Sequence, residues 1–259
     1  MSIAVAQYAS LSRRSIVTTI RQPIAIIPSF TFPLLFLAIN AAALERSINL
    51  PGFPPVDSFL QFMIATTIVQ GGLFGAIASG SAIAADIEGG FFDRLIATPV
   101  SRTSILIGRL AGSFTLAFTQ AWLFFGVAHL FGLTVDGGFL GMFGVALISS
   151  IASAGLGSVS VAIGLKSGST EVVQGSFPLI FVSMFLSSAF FPRSLMEGWF
   201  KSVATINPLS HMIEGARSLV FRGWETSEFL MSLGIALAIL VLGLTLSLLA
   251  LRARLADKA

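Results

Sequence analysis

Cysteine is absent from this 259-residue chain. That excludes disulfides, thiolate nucleophiles and cysteine-based metal sites. Only two histidines occur, His129 and His211. Two imidazoles alone do not make a usual metal site, so no bound metal is expected. Nucleotide-binding loops are missing too. The nearest glycine run, Gly164 to Gly168, lacks the Lys-Ser/Thr ending of a P-loop. Neither H-E-x-x-H nor G-x-S-x-G occurs. The chain is therefore not expected to hydrolyse nucleotide, and no enzyme class finds support. Charge is scarce as well, at 10% of residues. The net charge is +3, with the basic residues spread over loops, so no nucleic-acid partner is expected.

The missing charge is concentrated. Six stretches contain no Asp, Glu, Lys or Arg: 22–44, 58–85, 110–135, 137–165, 172–192 and 229–251. Each is 21 to 29 residues long, and a spanning helix needs about 20 apolar residues. Helices of a soluble protein must show water a polar face, which these stretches do not provide. The mean hydropathy of +0.91 agrees. The expectation is an all-α membrane protein with six transmembrane helices in a single domain over 1–259, with no room for a separate soluble catalytic domain. Residues 1–21 carry Arg13, Arg14 and Arg21 and do not read as a cleavable signal peptide.

Alternating sides at each span places ten basic residues on one side: Arg13, Arg14, Arg21, Arg94, Arg102, Arg109, Lys166, Arg252, Arg254 and Lys258. The other side receives five: Arg46, Arg193, Lys201, Arg217 and Arg222. The positive-inside rule puts the ten, and hence both termini, in the cytoplasm.

Residues 2–21 are expected to form a helix on the inner membrane surface, although Ile3, Val5, Ile16, Val17 and Ile20 make no clean apolar stripe. A frayed polar tail is the alternative. Span 1 carries Pro23, suited to a helix start, and Pro28 and Pro33, each of which removes a backbone bond and bends the helix. Neighbouring helices are expected to satisfy the freed carbonyls. The loop from Glu45 to Asp57 reads as an ordered turn. The pairs Gly71/Gly75, Gly108/Gly112 and Ser153/Gly157 have the small-xxx-small spacing of close helix packing. They suit packing within one subunit or between subunits.

The loop 86–109 reads DIEGGFFDRLIATPVSRTSILIGR. Apolar Phe91, Phe92, Leu95 and Ile96 fall among Asp86, Glu88, Asp93 and Arg94. Pro99 is expected to stop this helix, and Ser101 to cap the next. A surface helix with exposed phenylalanines is costly unless it docks into something. It reads as a docking element for a cytoplasmic partner, or else as a helix resting among lipid headgroups. Ser169 suits the N-cap of span 5, with Glu171 in its first turn. Beyond span 5, Ser194 and Glu197 suggest a capping box and a helix to about Ala204, broken at Asn207-Pro208. A second helix follows, with Leu209, Met212, Ile213, Ala216, Leu219 and Val220 apolar and His211, Glu214 and Arg217 on the opposite side. Residues 193–228 thus read as a re-entrant amphipathic pair in the outer leaflet, anchored by Trp199 and Trp224.

The spans hold no charge near mid-membrane, where ion-coupled carriers usually keep one. His129 reads as a snorkelling interfacial histidine. Active transport would then draw energy from elsewhere, and an uncharged interior suits a hydrophobic or amphiphilic passenger. Phe114, Phe118, Phe124, Phe125, Phe181 and Phe185 fit such a passenger, though lipid contact explains most of them. Phe181, Met184 and Phe185 are the candidate path residues.

Three segments resemble the membrane subunit of ABC exporters of the ABC-2 group: EGGFFDRLIATPVSRTSILIGR from Glu88, SSAFFPRSLMEGWF from Ser187 and INPLSHMIEGARSLVFRG from Ile206. The daunorubicin-resistance exporters are the nearest flavour. The resemblance implies a homodimer, or a heterodimer with a sister permease, in the bacterial cytoplasmic membrane. It also implies two ABC ATPase subunits carrying ATP and Mg, so that no cofactor belongs to this chain. The loop 86–104 becomes the cytoplasmic coupling helix, with Asp86, Glu88, Phe91, Phe92, Asp93, Arg94 and Leu95 as its contacts. Arg13, Arg14, Lys166 and Glu171 become secondary inner contacts. One departure is that Met196, Glu197 and Gly198 stand where the family often has a proline before the tryptophan. An ATPase-independent channel or carrier, and a polysaccharide or glycolipid exporter, remain the alternatives.

Overall fold

The structure is a computed structural model that describes residues 3–21, 23–98 and 100–256. Pro99 and Lys258 lie outside the described residues, as do the side chains of Ile3, Val5 and Ile20. The described regular elements are all helical: α1 (Ile3–Ile20), α2 (Pro23–Leu44), α3 (Phe59–Glu88), α4 (Phe91–Ile96), α5 (Arg102–Leu130), α6 (Gly138–Ser167), α7 (Thr170–Gly175), α8 (Phe177–Phe185), α9 (Gly198–Ile206), α10 (Pro208–Phe221) and α11 (Thr226–Ala256), with two short 3₁₀ turns.

Five helices, α2, α3, α5, α6 and α11, are long and apolar enough to cross a bilayer. Serines start two of them: Ser58 accepts from the Gln61 amide and Ser101 from the Ser104 amide. The sixth charge-free stretch differs from expectation. It forms two short helices, α7 and α8, together shorter than a full span. Ser176 separates them, and Pro178 in the first turn of α8 has no amide to continue the α7 ladder. Residues 186–192 then turn without a helix.

α3 is the axis of the bundle and is largely buried, whereas α2 and α11 leave most of their surface exposed. Small residues set the helix spacing. A Cβ on Gly80 would meet the Ser160 carbonyl of α6 at 2.5 Å. Gly75 faces Ser153, Gly108 faces Leu11 of α1, and Gly157 faces Ser113. All these contacts are made within one subunit. Ser149 donates to the Ile68 carbonyl at 3.1 Å and Ser153 to the Gly72 carbonyl at 2.8 Å. Such interhelical bonds are worth roughly 0.6 kcal/mol each in membranes.

α2 runs on through Pro28 and Pro33. Pro33 has no amide to offer the Ser29 carbonyl one turn earlier. The amide side chain of Gln120, from α5, donates to that carbonyl instead. It reaches across only because Gly71 of α3 has no side chain in the way: a Cβ there would meet the Gln120 amide at 2.6 Å.

The capping box does not form. Ser194 sits in a 3₁₀ turn and donates to the Gly52 carbonyl at 2.6 Å. α9 starts at Gly198, without a side-chain cap from Glu197. The loop 50–55 offers Ser194 a carbonyl that the S-x-x-E spacing could not reveal. The break at Asn207-Pro208 does form: Asn207 accepts from the Leu209 amide at 2.9 Å and opens α10.

Candidate functional site

The two ends of α3 carry different chemistry. At the Glu88 end stands an ion-pair cluster. α3 continues through the acidic residues expected in a loop, so Asp86 and Glu88 are helical and belong to α3. Asp86 lies between Arg14 of α1, at 3.1 Å, and Arg109 of α5, to which it is also paired. Ser15 donates to the Arg109 carbonyl at 2.9 Å, tying α1 to α5 again. A carboxylate held by two guanidiniums joins three helices at one point.

Next comes α4. Gly90, at φ +66°, reverses the chain between α3 and α4, a conformation that suits glycine. The two phenylalanines of α4 are not free, contrary to expectation. Phe92 is fully buried among Ile83, Ile105, Leu106, Val161, Leu165 and Leu251. Phe91 is half-buried under the Arg14 guanidinium, 4.0 Å from its ring. Asp93 and Arg94 remain exposed, and Leu95 is half-buried. Arg254 of α11 lies 6.0 Å from the Phe92 ring and donates to the Leu165 carbonyl at 2.9 Å, where α6 ends. Arg13, Lys166 and Glu171 are exposed. Ser169 caps α7 as expected. Sequence reasoning missed Gln120 and Arg254. Gln120 had a signal, since Pro33 leaves a carbonyl to be answered by another span.

At the opposite end of α3, α10 brings Arg217 into the protein. The expectation of an outward-facing Arg217 is corrected: it is 2% exposed. Its Nε donates to the Phe62 carbonyl at 3.0 Å, one Nη to the Ser188 carbonyl at 2.6 Å, and the other to Thr66 Oγ1 at 2.9 Å and to the Ala189 carbonyl. Its charge also lies over the Phe62 ring, 3.6 Å from the centroid. The cause is the broken sixth stretch. Backbone that leaves a helix inside a membrane protein needs partners from its neighbours. Asn207 supplies two more, donating to the carbonyls of Ser183 at 2.7 Å and Leu186 at 3.2 Å. Burial pushes the Arg217 pKa down to about 9, while the Glu214 carboxylate pulls it up. The group stays charged at neutral pH.

Arg217 also meets a cavity of about 390 Å³ lined by Arg193, His211, Glu214 and Glu228. Arg193 pairs with Glu214, and His211 Nε2 lies 2.9 Å from the Thr205 carbonyl. Trp199 on α9 is exposed, while the Trp224 ring meets that of Phe229 at a tilt of 38°, with centroids 4.8 Å apart. His129 Nδ1 lies 2.8 Å from the Phe125 carbonyl, at the end of α5.

Between the two ends runs a seam of phenylalanine rings. Phe74 meets Phe177, which stacks on Phe181, and Phe185 and Phe190 follow, with centroids 4.9–5.3 Å apart. Phe32 and Phe36 of α2 close it from the other side. Of the candidate path residues, Phe181 is half-buried and Phe185 exposed, whereas Met184 is turned into the core. Near the Glu88 end the seam opens into a groove of about 510 Å³ whose lining includes Phe74, Ile77, Ala78 and Phe177.

Known proteins are similar to this chain in sequence. Residues 6–221 match the ABC-2 type transporter family. The chain is 27% identical to the daunorubicin resistance ABC transporter permease protein DrrB1 of Streptomyces coeruleorubidus, over 76% of this chain and 69% of that protein. It is 28% identical to ycf38 of Porphyra purpurea, a candidate transport permease, over 85% of this chain and 76% of that one. For ycf38 of Cyanophora paradoxa the figures are 27%, 90% and 83%. The family match takes in α4, the seam and α10 alike, and the chain belongs to the ABC-2 type transporter family of membrane permeases.

Proposed function

We propose that this permease is the membrane subunit of an ATP-driven exporter for hydrophobic or amphiphilic molecules. Two copies, or one copy and a sister permease, would stand over two ATPase subunits, with both termini in the cytoplasm of a bacterium. The observation that carries the reading is α4. It is a six-residue helix outside the spans, pinned by buried Phe92, with Asp93 and Arg94 facing out. A helix held this firmly from beneath can pass a push into the bundle. Similarity to a permease named for daunorubicin resistance supports both the use of ATP and the class of passenger. The phenylalanine seam, with Phe181 and Phe185 at its surface, supports an apolar path.

Affinity-tagged full-length chain, purified from its native membrane, should retrieve an ATPase subunit identifiable by mass spectrometry. Arg94→Glu should lower that yield about tenfold, since reversing a charge at an interface breaks its electrostatic complementarity. Vesicles holding this chain alone should not concentrate daunorubicin when given only a proton or sodium gradient. Uphill transport under those conditions would overturn the reading.

A further inference from the structure

We infer that Glu88 is a positioning residue that links the coupling helix to the broken span α7–α8 through Thr170. The inference rests on the exporter reading above. Glu88 is the last residue of α3, and two glycines separate it from α4. Its carboxylate leaves α3 sideways and takes both donors of Thr170. The Thr170 amide donates to Oε1 at 2.7 Å, and the Thr170 hydroxyl lies 3.1 and 3.2 Å from the two oxygens.

Thr170 is the first residue of α7. Its amide is one of the orphan donors of a helix start, and a carboxylate there also faces the positive end of the helix. Ser169 answers the Val172 amide, and a carboxylate from another helix answers the Thr170 amide beside it, which joins the start of α7 to the end of α3. α7 leads directly into α8, which bears Phe177, Phe181 and Phe185 of the seam. On the other side of the glycines, Phe92 fixes α4 to the ends of α3, α5, α6 and α11. A push on α4 therefore moves the α3 end, and Glu88 carries that movement to the short span that borders the seam. The bond is exposed, so it contributes little to stability. Its worth lies in the connection, and a substitution can cut it without unfolding the chain.

Thr170→Pro makes the cut. Proline suits the first position of a helix, where it removes the amide, and the hydroxyl leaves with the threonine. Ser169 before it is already extended, at φ −127° and ψ 126°, as a residue preceding proline should be. The chain has no cysteine, so Leu179→Cys on the exposed face of α8 takes a single environment-sensitive fluorophore.

The complex with the co-purified ATPase is then examined with and without ATP and vanadate. In the otherwise unmodified chain the nucleotide should change the emission. Thr170→Pro should abolish the change while ATP hydrolysis stays within twofold. Glu88→Ala should abolish it too, and the double variant should be no worse than either single one. Glu88→Gln, which keeps an acceptor oxygen, should restore at least half of it. A nucleotide response that survives in Thr170→Pro, or one absent from the unmodified complex, overturns the link. Failure to retrieve any ATPase overturns the exporter reading itself and is seen before the fluorophore is read.

Discussion

At the scale of single residues, the polar side chains of this protein answer backbone that the spans leave unpaired. Gln120 answers the Ser29 carbonyl because Pro33 cannot. Gln120→Leu should cost about 1–3 kcal/mol, the penalty of leaving a buried acceptor unsatisfied. In a Pro33→Ala background the position-33 amide reaches the same carbonyl, so most of that cost should vanish. A double-mutant cycle on thermal unfolding in detergent measures the difference, and additive losses would refute the pairing. Arg217 answers three carbonyls and a hydroxyl at once. Arg217→Met should therefore cost about 3 kcal/mol or more. Arg217→Lys keeps the charge but loses the planar fork, so it should fall between. The sequence shows both residues plainly but not their depth. A charge at helical spacing beside His211 and Glu214 looks like a solvated face. The break after α8 supplies two of the three carbonyls that hold Arg217 inside, those of Ser188 and Ala189.

At the scale of elements, lack of charge located the bundle well and its continuity less well. Five of the six charge-free stretches became helices long enough to span. The stretch 172–192 passed the same test of length and composition, yet it contains Gly175, Pro178 and a serine pair at Ser187 and Ser188. Hydropathy counts missing charge, whereas a helix also needs an unbroken ladder of amides. The small-residue spacings were legible because their cause is local, namely close approach of backbones. That gives a sharp contrast between two glycines. Gly80→Ala puts a methyl group 2.5 Å from the Ser160 carbonyl, and should cost about 1–3 kcal/mol by forcing α3 from α6. Gly126→Ala, also within a helix but with nothing within 4 Å, should be neutral or gain up to about 1 kcal/mol. Melting temperatures of the two purified variants should move in opposite directions, or only the first should move.

At the scale of the whole molecule, the charges that fix orientation are not the same population in the unfolded and folded chain. Arg14 and Arg109 close on Asp86, and Arg217 disappears among carbonyls. Insertion acts on the chain before these pairings exist, so all fifteen basic residues count when topology is set. Under the proposed topology the ten-to-five asymmetry puts the α4 end in the cytoplasm, and packing afterwards recruits some of the same arginines as struts. This is why the site was half legible. Which end of the bundle carries the basic excess follows from counting, but which of Asp86, Glu88, Phe91 and Phe92 are spent inside the fold follows only from packing. The orientation itself is testable in a protein without cysteine. Leu50→Cys, exposed in the loop after α2, should react with a membrane-impermeant maleimide on intact cells. Ala97→Cys, exposed just beyond α4, should react only after the membrane is opened. Arg193→Ala should leave this pattern unchanged, because it deepens the asymmetry, while neutralising Arg13, Arg14 and Arg21 together should give mixed labelling. Reversed labelling of the two single-cysteine chains would turn α4 away from any cytoplasmic ATPase and remove the physical basis for coupling.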